Sequence, residues 1–248
     1  MARPRFWDSR QIPELMIGLV ALAIAVLVAG VVTAHSIRDV KKRHDTITVT
    51  GSARYPISAN QVSWSLIVKS QEPSAGTASR HLRSQVQTVR AFFRDRGIAD
   101  DDVNLPPISV QQVQRRISRK QVVTEYAVTQ TFRITTGDVD KLESAAGAVS
   151  SLLEQGVTVT VGRLSYVSTE LTEARLKALK AATSNASERA KTIVEGAGGD
   201  LGGVRSAGLG VYQIVPRGST EISDYGINDT STKEKDVIAV VSVTFGVD

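Results

Sequence analysis

The sequence predicts an α+β protein: an N-terminal transmembrane helix, then a body of largely antiparallel sheet with helices packed on one face. Three observations carry that reading. Leu15–Ala34 is a run of twenty residues with no charge and one hydroxyl, at Thr33. Beyond residue 45, stretches that alternate apolar and polar with period two are interleaved with stripes of period 3.6. A helix–strand–strand order also occurs twice, at 74–136 and 170–247, which hints at a duplicated unit.

At about 1.5 Å per residue the apolar run, as a helix, covers roughly 30 Å, the thickness of a bilayer's hydrocarbon core. A helix satisfies its own backbone donors and acceptors, so it is stable in lipid. Leu15, Leu19, Leu22, Leu27 and Val32 are its expected membrane-spanning residues. Arg3, Arg5 and Arg10 precede it, and Arg38, Lys41, Lys42 and Arg43 follow it, so flanking charge alone does not orient it. A short basic tail before an apolar run is how export signals begin, and long domains translocate regardless of flanking charge. The expected layout is a cytoplasmic tail at 1–14, a span at 15–34, a basic linker at 35–44 and an extracytoplasmic domain at 45–248. Arg38, Lys41, Lys42 and Arg43 would then lie at the lipid headgroups; a solvated stop signal is the alternative. Val32-Thr33-Ala34 has the small residues a signal peptidase wants. The run is longer than the roughly 7–15 residues of a cleavable core, so an uncleaved anchor is expected.

Charge narrows the partners. Residues 1–44 carry seven Lys/Arg against three Asp/Glu, leaving 23 and 22 of the chain's 30 and 25 for the remainder. The body is therefore near neutral, which argues against nucleic acid. The chain has no cysteine, so disulfides, thiolate metal sites and cysteine nucleophiles are excluded.

Within the body, Asp45–Gly51 alternates around Ile47 and Val49, and Asn60–Ser70 around Val62, Trp64, Leu66 and Val68, with a link at Pro56. Ser74–Arg96 turns helical: Leu82, Val86, Val89 and Phe93 form one stripe, ended by Gly97. Asp100–Asp102 lacks the pattern of a calcium loop and reads as a polar turn. Val103–Gln114 is a strand broken by Pro106-Pro107, and Arg115, Arg116, Arg119 and Lys120 mark a hairpin tip. Gln121–Thr136 is the strongest strand: Tyr126, Val128, Phe132 and Ile134 point one way, and Glu125, Thr129, Thr131 and Arg133 the other; Gln130, on the apolar side, is expected to be a bonded core amide or a bulge. Asp138 or Asp140 caps a helix carrying Leu142, Ala145, Val149 and Leu152. The strand begun by Val157, Val159 and Val161 slips phase at Gly162, which suggests a bulge. Glu170–Val194 is the longest helix of the body, with alanine at 174, 178, 182, 186 and 190. The glycines at 196–203 close this helix rather than open one, so they are no phosphate loop. Leu201–Val215 and Asp236–Val247 are strands; the polar stretch Pro216–Lys235 between them reads as a mobile arm or a partner contact.

Several of these segments, in this order, resemble the SIMPL-domain family across about 45–247. They are Ile47-Thr-Val-Thr-Gly51, Gly97-Ile98 with Asp101-Asp102-Val103, Tyr126-Ala-Val-Thr-Gln-Thr-Phe-Arg-Ile134, Asp138-Val-Asp-Lys-Leu142, and the helix from Ala174-Arg175 to Ala190-Lys191. The pattern departs at Gln111-Gln112, where a tyrosine is usual. The resemblance implies a bacterial envelope location and homo-oligomeric rings, cages or channel-like particles. It also implies a loosely defined link to envelope or oxidative stress. It supplies no catalytic residues.

An enzyme is not expected. His35 and His44 flank the apolar run, His81 falls on an exposed helix among arginines, and no Ser-His-Asp set, HExxH motif or metal-ligand cluster exists. No catalytic residue, cofactor or metal is assigned. The reading is a single-pass protein of a bacterial inner membrane whose partners are itself, lipid and an envelope protein. The alternative is a monomeric or small-oligomer binding module offering a groove to an envelope ligand or partner.

Overall fold

The computed structural model describes residues 18–30, 45–118 and 121–248. Among them no helix is long and apolar enough to cross a membrane. Of the expected span, residues 18–30 are described and form one helix, α1, exposed at every position. Leu15, Val32, Arg38, Lys41, Lys42, Arg43, Arg119 and Lys120 lie outside the described residues.

The body is mixed α+β with two sheets. The first comprises β1 (Thr46–Ser58), β8 (Leu201–Leu209), β9 (Gln213–Pro216), β10 (Ile227–Asn228) and β11 (Glu234–Val247). The second comprises β2 (Gln61–Glu72), β3 (Val103–Asn104), β4 (Ser109–Ser118), β5 (Gln121–Thr136), β6 (Val159–Val161) and β7 (Ser165–Val167). β8 and β9 pair β11 antiparallel, as do all pairs within the second sheet, whereas β10 lies parallel on β9. The helices are α2 (Ala75–Asp95), α3 (Val139–Gly147), α4 (Ser151–Glu154) and α5 (Leu171–Gly196). The described residues fall into two compact units. One draws on Met1–Gly51, Thr183–Leu209 and Val241–Asp248; the other is Ser52–Ala182 with Gly210–Val240.

The second sheet shows how the sequence pattern becomes a core. β2 buries Val62, Trp64, Leu66 and Val68 on one face, and β5 buries Val128, Phe132 and Ile134 on the same face. α2 covers them with Ala78, Leu82, Val89, Phe92 and Phe93, and Leu142, Ala145 and Leu152 from α3 and α4 join the cluster. The Ser74 hydroxyl accepts from Thr77 N–H to start α2, and Gly97 takes the left-handed conformation (φ 73°) that stops it. Gln130 is a bonded core amide, its Nε2 donating to the Pro106 carbonyl at 2.6 Å. The three aspartates at 100–102 form a 3₁₀ turn.

Four sequence readings need correction. β1 does not end at Gly51 but runs through Pro56 to Ser58. Proline is tolerated because β1 is an outer strand and Pro56 turns its missing donor outward. The helix read from 138 to 156 is two helices, α3 and α4, separated at residues 148–150. Glu125, placed on the polar face of its strand with Thr129, Thr131 and Arg133, is buried on that face: it accepts from Gln71 at 2.6 Å and pairs with Arg115 at 2.7 Å. Finally, Pro216–Lys235 is held in place rather than loose. Arg217 pairs with Glu234 at 2.6 Å, Gln213 donates to the Ser223 carbonyl, and Arg54 donates to the Ser219 carbonyl. Lys235, only 2 % exposed, bonds the Asp229 carboxylate at 2.9 Å.

Candidate functional site

The backbone of β1 defines the first site. β1 ends its sheet: β11 pairs one edge, and no strand among the described residues pairs the other. The ladder decides which groups face out. Val247 N–H donates to the Asp45 carbonyl at 2.9 Å, the Thr48 and Thr244 hydroxyls meet at 2.9 Å, and Ala59 N–H donates to the Lys233 carbonyl at 2.8 Å. Odd-numbered residues therefore turn their N–H and C=O towards β11, and Thr46, Thr48 and Thr50 turn theirs away. One outward carbonyl is already engaged, since Arg189 Nη1 donates to Thr50 O at 3.1 Å.

The flank of α5 stands beside this edge. Its buried stripe is the alanine series, of which Ala186 and Ala190 are fully enclosed. Asn185, Glu188, Arg189, Thr192 and Ile193 lie on the adjoining stripe, because residues three and four apart share a helix face. With Thr48, Val49 and Thr50 they line a groove of about 670 Å³. One acid, one base, hydroxyls and an amide make the lining near neutral, and Ile193 is its bare apolar spot at 53 % exposed.

A second concavity, of about 380 Å³, lies on the second sheet, where Ser63, Ser65, Arg133, Thr135, Arg163 and Ser165 converge. It arises where the sheet is interrupted. β6 pairs Leu66–Val68 and β7 pairs Gln61–Ser63, so residues 162–164 bulge between them. This is the phase slip read from the sequence. Gly162 N–H donates to the Ser65 carbonyl at 2.8 Å, and the Trp64 indole donates to Gly162 O at 2.9 Å. A side chain at 162 would put its Cβ 2.5 Å from Ser65 Oγ, which is why glycine stands there.

The third feature is the Asp229–Lys235 clip. Burial drives the Asp229 carboxyl upward. Hydrogen bonds from Ser231, Thr232 and Lys235 outweigh that effect and hold it well below the usual carboxylate range. Nearby, burial and then the hydrogen bond to Glu143 (2.7 Å) push the Tyr166 hydroxyl up to about 12. These groups are mutually satisfied, which is the pattern of a structural clip.

Of the predicted site residues, Leu19, Leu22 and Leu27 lie on α1, exposed at 57 %, 63 % and 68 %. His81 Nδ1 sits 2.8 Å from Glu72 Oε1 on the surface of α2. Among the described residues no group of three or more His, Cys, Asp or Glu is placed to hold a metal. The reading of the sequence missed the β1 edge, and Pro56 inside a strand was the signal for it. It also missed Lys235, which no residue pattern distinguishes from a surface lysine.

Fold and site define a class first: a two-sheet α+β protein with an open strand edge beside a helix. A family model described as SIMPL, a protein of unknown function (DUF541), matches residues 47–245. The chain belongs to the SIMPL family. No curated protein matches it. Among solved structures, an amidase of the hydantoinase/carbamoylase family from Burkholderia phymatum is 11 % identical, with a TM-score of 0.24. A protein described as an amidohydrolase/peptidase from Burkholderia cenocepacia is 14 % identical, with a TM-score of 0.22. The matches cover 52 % and 54 % of this chain and 35 % of each of those. Likeness at that level bears on neither fold nor chemistry.

Proposed function

We propose that this chain is a membrane-anchored, extracytoplasmic SIMPL-domain protein of the bacterial inner membrane that self-assembles into a ring, cage or channel-like particle. Its role is structural rather than catalytic, in an envelope exposed to stress. The observation that carries the reading is α1, apolar and exposed at every described position within an uncharged twenty-residue run. A helix that is apolar all round has no water-compatible face, and lipid is the solvent that suits it. Tethering also confines copies to a plane, which raises their effective concentration, so modest contacts suffice for assembly.

The test has two arms. Membrane fractions holding the full-length chain are washed with high salt and then with detergent, and the extracted protein is imaged by negative stain. Release by detergent alone, followed by particles of many copies, supports the proposal. Release by salt contradicts the anchor, and single-copy particles contradict the assembly.

A binding module is the second reading, favoured by the concavity that brings Arg133 and Arg163 together with three serines and a threonine. Guanidinium groups and hydroxyls suit an anionic group. A single-copy protein that takes up such a ligand would favour it.

A further inference from the structure

We propose that the open edge of β1 is closed by β1 of a second copy of this chain, paired antiparallel about a two-fold axis at Thr48. The inference rests on the self-assembly proposed above and assigns it a surface.

β2 is flanked by β5 on one side and by β6 and β7 on the other, both antiparallel. β1 has the same kind of inner neighbour, β11, and no counterpart to β6 and β7 among the described residues. A bare edge is a row of unpaired donors and acceptors, and proteins guard such rows with charge, proline or bulges. Other outer strands here carry such guards. β8 holds Gly202, Gly203 and Gly208 and two register shifts, β4 carries Arg115 and Arg116, and β10 is two residues long. β1 itself is guarded at Arg54 and Pro56. Thr46–Gly51 has no charge, no proline and no bulge residue; it is Thr-Ile-Thr-Val-Thr-Gly, mostly β-branched.

The edge is also self-complementary. The outward residues are all even-numbered, so two copies register Thr48 on Thr48 and Thr46 on Thr50, each pair exchanging two main-chain bonds, with the Thr50 carbonyl accepting on its second lone pair beside the bond from Arg189. Threonines then face threonines across the exposed side, a favourable cross-strand pairing. Ile47 and Val49 of the incoming strand fall on the α5 side, where Ile193 is bare. A neutral strand also matches a groove whose Glu188 and Arg189 cancel.

The absence of cysteine makes the test direct, because an introduced thiol is the only one present. Full-length chain in detergent carries Thr48→Cys or Thr46→Cys and is oxidised. At position 48 the two Cα atoms lie about 5.5 Å apart, within disulfide reach of roughly 4.4–6.8 Å. At position 46 they are offset by about 14 Å along the strand and out of reach. The expected result is at least about ten-fold more covalent dimer for T48C than for T46C, and dimer again when T46C is mixed with T50C. Equal cross-linking at 46 and 48 overturns the register. A T48C protein that stays uncross-linked in a many-copy particle overturns the edge contact while leaving self-assembly standing. A single-copy wild-type protein overturns both, whether the edge is bare or covered by another segment of its own chain.

Discussion

β2 and β1 hold matching places, each lying beside the long strand of its sheet, β5 for one and β11 for the other. β2 gains a second neighbour when the chain returns through β6 and β7, and β1 gains none among the described residues. The helices differ as well. α2 meets its sheet with large side chains: Phe93 stands edge-on to Trp64 at 6.1 Å and to Phe92 at 5.3 Å. α5 presents a column of buried alanines instead. The contrast separates two ways of finishing a sheet. One region fills and seals itself with volume from its own chain. The other keeps its helix stripe small and leaves an edge open.

Substitutions break the comparison in graded fashion. Phe93→Ala, at the centre of the filled region, should cost about 3–5 kcal/mol in denaturant unfolding, since it leaves a cavity among Trp64, Phe92 and Phe132. Asp229→Asn should cost a similar amount, about 3–5 kcal/mol, because it leaves Lys235 buried without its counter-charge. Ala186→Leu in the alanine column should cost about 1–3 kcal/mol by overpacking. A milder loss there than at Phe93 sharpens the contrast, and a larger one breaks it. Tyr225→Ala, on the exposed part of the 216–235 segment, should stay within about 0.5 kcal/mol of wild type.

Acid adds a further check. Asp229 titrates lower in the folded chain than in the unfolded one. Its contribution is therefore full above the unfolded carboxylate value of about 3.9 and is lost as pH falls through the lower folded value. D229N should accordingly be less stable than wild type at neutral pH, and the gap should narrow in acid unfolding curves.

Much of this architecture was legible because burial follows periodicity. Val62 to Val68 and Val128 to Ile134 announce a half-buried strand pair, Ser74 and Gly97 bracket α2, and the alanine column marks the inner stripe of α5. The Gly162 slip was legible too, since two residues of the same face cannot be odd and even at once without a bulge. What could not be read depends on distant partners. Glu125 and Lys235 are charged and look solvated until Arg115 and Asp229 are brought beside them by the fold. The segment 216–235 is mostly polar, so nothing local shows that Arg54 and Ile214 hold it. The open edge was hidden because openness belongs to the sheet order, not to the strand that suffers it.

Amide hydrogen exchange on the full-length chain in detergent tests the central claim most directly, read at Thr46, Thr48 and Thr50. In assembled particles these outward amides should exchange as slowly as those β2 shares with β6 and β7, and become fast when the particles are diluted to single copies. Fast exchange in the intact particle would contradict the account, because the edge would then be open to water while the copies are held together elsewhere.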